Sequence, residues 1–162
     1  MINCTPSVLC LAVEPGASKI IPEAFRRACR KLRCLKITIP DYDASTTYVW
    51  SLKLRSNLGD LPLVAFCLCL KRSTNPALQD FDSEVPLHLA DSFPSASFVG
   101  FEAHSDEVSH GIWWKVVETE SGKHIELIPA SLTAAVGDII YGADAKTDIK
   151  AQVTTCLADS AR

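Results

Sequence analysis

The sequence predicts a mainly β or α+β fold, an antiparallel sheet or sandwich of about seven or eight short strands with an N-terminal basic amphipathic helix. Three observations carry that expectation. Apolar and polar residues alternate with period two in several windows, the signature of half-buried strands. Two polar turns, Asn57-Leu58-Gly59-Asp60 and Thr119-Glu120-Ser121-Gly122-Lys123, each separate a pair of such windows, as in hairpins. Residues 21–33 instead repeat apolar side chains at helical spacing.

Taken in order, residues 8–13 read as a short strand stopped by Pro15-Gly16. The helix follows. Ile21, Phe25, Ala28, Cys29 and Leu32 form its apolar stripe, and Arg26, Arg27, Arg30, Lys31 and Arg33 occupy the opposite half of the wheel. Pro22 suits a first helical position, where its missing N–H has no partner, and Glu23 favours the positive end of the helix dipole. Leu35, Ile37 and Ile39 then alternate with Lys36 and Thr38, a strand ended by Pro40. Trp50, Leu52 and Leu54 alternate with Ser51, Lys53 and Arg55, and residues 63–70 return as a strand apolar on both faces. That pair is the expected central hairpin. Residues 73–94 are polar, carry three prolines and read as a long excursion or edge region. Residues 98–103 form a strand, and 112–118 and 124–128 form the second hairpin. Residues 131–136 make one or two helical turns closed by Gly137, and 139–141 make a short strand. The segment 144–157 fits a helix through Ile149, Val153 and Leu157, or a strand over 152–156.

A chain of 162 residues, 48% hydrophobic, forms a single domain, because that length buries roughly 70% of its extended-chain surface. The net charge of −3 conceals an asymmetry: residues 1–36 hold seven Lys/Arg against two Glu, the rest nine against seventeen acids. Any polyanion contact is therefore expected through the N-terminal region, whose basic helix otherwise reads as a surface helix with solvated arginines. Seven cysteines at irregular spacing, with Cys67 and Cys69 inside an apolar run, read as buried thiols in a reducing compartment. The first residues lack the basic segment of a signal peptide, and the apolar run 61–70 is too short to span a bilayer. The expected location is cytoplasmic, soluble or peripheral to a membrane.

Catalytic chemistry has little to stand on. No glycine-rich phosphate loop, nucleophile elbow or Cys-x-x-Cys pair occurs, so no cofactor and no small-molecule substrate is expected. His104, Glu107 and His110 are close enough in sequence to ligate a divalent metal as a small enzyme, but a polar loop between two strands explains the same composition. The adjacent Trp113 and Trp114 must point to opposite faces of a strand, so at most one is core and the other an interface or stacking residue, unless the second face is also covered and both are packing residues.

Residues 37–93 resemble the core of the thirty-kilodalton superfamily of plant-virus movement proteins. The matching pieces are Pro40-Asp41-Tyr42, Val49-Trp50, Pro62-Leu63, Phe66-Cys67 and Val85-Pro86-Leu87. Spacings are shorter than in that family, and its aspartate signature has no counterpart. Phe98-Val99-Gly100 and Gly111-Ile112-Trp113 also look like rhabdovirus matrix proteins. Both resemblances imply a non-enzymatic structural or movement protein that binds RNA, nucleoprotein or an anionic membrane surface. A homo-oligomeric matrix or shell subunit is the further alternative.

Overall fold

A strand apolar on both sides has its place inside a sheet covered on both faces, and residues 65–71 sit in such a place. The computed structural model describes residues 7–12, 31–40, 56, 58–71, 84–104, 109–144 and 146–160. These form six strands, β1 (Val8–Ala12), β2 (Cys34–Pro40), β3 (Ala65–Lys71), β4 (Phe98–His104), β5 (Ser109–Thr119) and β6 (Gly122–Leu127), and three helices, α1 (Glu84–Ser92), α2 (Ala130–Tyr141) and α3 (Ile149–Asp159). The strands lie side by side in chain order within one mixed sheet. β1 to β4 run parallel, and β5 and β6 are antiparallel to their neighbours.

The mixed α/β architecture agrees with an α+β reading at the coarse level and corrects it in detail. The antiparallel sandwich of seven or eight strands is replaced, among the described residues, by one sheet of six, four of them parallel. Period-two alternation reports which face of a strand is buried and is silent about the neighbour's direction. The central hairpin is likewise overturned: both edges of β3 are occupied, by β2 and β4 in parallel register. Residues 50–55, its expected partner, lie outside the described residues, as does most of the basic helix at 21–33.

Two cores follow from the alternation. Leu35, Ile37 and Ile39 of β2, Phe66, Leu68 and Leu70 of β3, and Val99 and Phe101 of β4 share one face with Leu32, Leu58, Leu61, Leu89 and Phe93 from the crossovers. Consecutive parallel strands that step in one direction, joined by crossovers of one hand, place every crossover on the same face. Phe93 stacks on Phe66 at 4.5 Å between centroids. The opposite face presents Cys34, Ala65, Cys67, Phe98 and Trp113, and α2 and α3 cover it through Val136, Ile140, Ile149 and Val153.

Two further corrections concern the helices, and one open alternative is decided in favour of a helix. α1 lies in the stretch read as a polar excursion; its Pro86 is the third helical residue, where a missing N–H leaves no helical bond unmade. α2 runs through Gly137 to Tyr141, absorbing the strand expected at 139–141. The ambiguous tail is helical, and the Asp148 side chain caps it by accepting from Ala151 N at 3.1 Å. The second hairpin forms as expected: Thr119 pairs with Gly122, whose φ of +119° suits glycine alone. Among the described residues no helix is long and apolar enough to cross a membrane.

Candidate functional site

Parallel strands that start in step gather their preceding residues at one end of the sheet. Arg33 immediately precedes β2 and Val64 precedes β3. Val64 N–H donates to Arg33 O (2.7 Å), Arg33 N–H to Ser7 O (2.8 Å) and Ser97 N–H to Val64 O (2.8 Å), which ties the strand entries together. Ser95 Oγ donates to Leu61 O at 3.0 Å or Leu63 O at 2.9 Å. These segments, with Lys150 from the first turn of α3, line a groove of about 540 Å³ whose described charged lining is Lys31, Arg33 and Lys150. Lys31 and Lys150 are exposed and Arg33 is half-buried.

The sequence reading named Lys31 and Arg33, and they meet here. Arg26, Arg27 and Arg30 lie outside the described residues. Lys150 was missed, because nothing local in residues 144–157 connects it to the N-terminal charge. Trp113 is 1% exposed beneath α2, so its burial removes it from the interface role. Trp114 is half-buried on the other face and meets Phe101 edge-on at 5.8 Å. His104 pairs with Ser109 and His110 with Ala103 in the β4–β5 ladder. Their side chains, and Glu107 altogether, lie outside the described residues, and among those described no group of three His, Cys, Asp or Glu is placed to hold a metal.

A second concave site lies over the middle of the sheet, on the face that α2 covers. Lys36, Cys67, Gly100 and Trp113 are register partners across four strands, and Glu102 lies one row further on, beside Cys69 and Gly111. Glu102 is 8% exposed. A carboxylate this deep needs partners, and it has them: Lys36 Nζ donates to Oε2 and Tyr141 OH donates to Oε1. The Lys36 ammonium also lies 4.9 Å from the centroid of the Tyr141 ring. Burial pulls the Lys36 pKa down, but the hydrogen bond and charge of Glu102 outweigh it and leave it above the ordinary 10.5.

The thiols around this pair stay protonated. Burial pushes Cys34 up to about 12, with the Cys10 and Glu102 charges adding to the rise. Burial raises Cys67 well above its usual value despite its hydrogen bond with Tyr141. Buried thiols of this kind make poor nucleophiles. The Tyr141 hydroxyl is itself pushed upward, chiefly by burial, so it remains a donor. Glu102, Gly111, Trp113, Ala130, Thr133, Ala134, Gly137, Asp138 and Tyr141 line a cavity of about 440 Å³ between the sheet and α2. Sequence reasoning missed this cluster. The available signal was Lys36, a charge between two core residues of a strand that becomes buried once both sheet faces are covered.

Comparisons with protein-family models, curated proteins and solved structures gave no match. The resemblance to movement proteins rests on the short segments quoted above.

Proposed function

We propose that the chain is a non-enzymatic binding module that holds the phosphate backbone of single-stranded RNA in the groove at the amino-terminal ends of its strands. The observation that carries the reading is the convergence of Lys31, Arg33 and Lys150, from two distant parts of an otherwise acidic chain, on one recess. Cations spaced along a recess suit a phosphate strand, which can enter it, better than the flat plane of a membrane. The basic residues 26, 27 and 30 precede Lys31 in the chain.

The reading is tested by fluorescence anisotropy with a labelled single-stranded RNA of mixed sequence, run beside sedimentation with phosphatidylserine vesicles. Binding to RNA that is lost in the triple variant Lys31→Gln/Arg33→Gln/Lys150→Gln, with an unchanged circular-dichroism spectrum, is the expected result. Binding to vesicles alone, or equal RNA binding by the triple variant, would overturn it.

A further inference from the structure

We propose that the cavity between α2 and the sheet binds a small quaternary ammonium ion, held by the negative charge of Glu102 and Asp138 against the Tyr141 ring. It is a separate site from the RNA groove, with different lining residues.

Charge comes first. Among the described residues, the carboxylates lining the cavity are Glu102 and Asp138. Lys36 neutralises one of these from the sheet side, so this described lining carries one negative charge in excess. A monovalent cation cancels that excess, whereas an anion would double it in a partly desolvated place. Walls come second. Tyr141 is half-buried and lines the cavity, and the buried Trp113 packs against it edge to face at 6.0 Å, with an interplanar angle of 61°. Aromatic rings beside carboxylates are the surroundings that methylated ammonium groups prefer. The protein's own Lys36 ammonium already adopts this pairing, against the Glu102 carboxylate and the Tyr141 ring.

Space comes third. Ala130, Ala134 and Gly137 stand at successive turns of one α2 face, so the helix offers small side chains where it borders the cavity. Gly111 lines the strand side without a side chain, and a methyl group there would make ordinary contacts with Glu102 Cγ at 3.5 Å and Thr133 Cγ2 at 3.6 Å. The volume of about 440 Å³ falls within the range that small-molecule sites occupy, roughly 300–1,000 Å³. Both Glu102 oxygens already accept hydrogen bonds, from Lys36 and Tyr141. A cation that brings charge and methyl groups without N–H donors therefore fits better than a primary amine, which would compete for the same oxygens.

The test uses the full chain with choline as probe and its neutral isostere 3,3-dimethylbutan-1-ol as control, followed by saturation-transfer NMR on the methyl signals. Saturable choline binding is expected, with at least a tenfold preference over the alcohol, a factor that about 1.4 kcal/mol supplies. Asp138→Asn, on an exposed position, should weaken choline severalfold, and Ala134→Leu should block entry while leaving the protein folded. Glu102→Gln should abolish binding where it folds; the two surface variants decide the matter if it does not. No saturable binding at tens of millimolar choline, equal binding of the alcohol, or wild-type affinity in both surface variants would overturn the proposal.

Discussion

Lys36 stands between Leu35 and Ile37 on a strand covered on both faces, and it keeps its charge because Glu102 faces it. Removing one member strands the other. Lys36→Met should therefore cost about 3–5 kcal/mol in chemical denaturation, while Lys36→Met/Glu102→Leu should recover most of that loss. A double variant no more stable than the single would mean that the pair does not act as a unit. The thiols give the molecule a pH signature. Folding holds the proton on Cys34 from its ordinary 9.0 up to about 12; Cys67 and Cys69 are raised in the same direction. Their contribution is complete below pH 9 and is lost as pH rises, because the unfolded chain releases protons that the folded chain retains. Stability should fall above pH 9 by up to about 1.4 kcal/mol per pH unit for each thiol held protonated. Cys34→Ala should make the decline shallower, as followed by melting temperature against pH.

Two glycines at the element scale have opposite expectations. A Cβ on Gly100 would meet three Trp113 ring atoms at 2.8 Å, and a buried indole has nowhere to retreat. Gly100→Ala should destabilise by about 1–3 kcal/mol. A Cβ on Gly137 meets Trp113 Nε1 at an ordinary 3.8 Å, so Gly137→Ala inside α2 should stabilise by roughly 0.5–1 kcal/mol. Denaturant midpoints of the two variants check both signs. The same glycine explains how far the elements were legible in the sequence. Strands 8–12, 34–40 and 98–104 and the 119–122 turn were readable because alternation and turn chemistry are local. Gly137 read as a stop because glycine commonly ends helices, whereas the packing that carries α2 on to Tyr141 comes from distant parts of the chain. Pro86 read as a breaker because its position within the first turn of α1 was not visible from composition.

Strand partners are a property of the whole molecule, and so are both candidate sites. The apolar run of β3 announced that it would be covered on two sides, yet nothing in it chose parallel neighbours over a hairpin. Arg33 and Lys31 were readable as the end of a basic segment, but Lys150 joins them only through the packing of α3 beneath the sheet. Glu102, Lys36 and Tyr141 come from three separate regions and carried no shared motif. On the proposed function, the folded groove, and not merely a run of basic residues, holds RNA. The salt dependence of RNA binding by Lys150→Gln tests it most directly. If Lys150 contacts a phosphate, the log–log slope should lose about 0.7 relative to wild type, the value for one single-strand contact. A slope unchanged by Lys150→Gln but reduced by Arg33→Gln would contradict the groove and leave only the N-terminal charge.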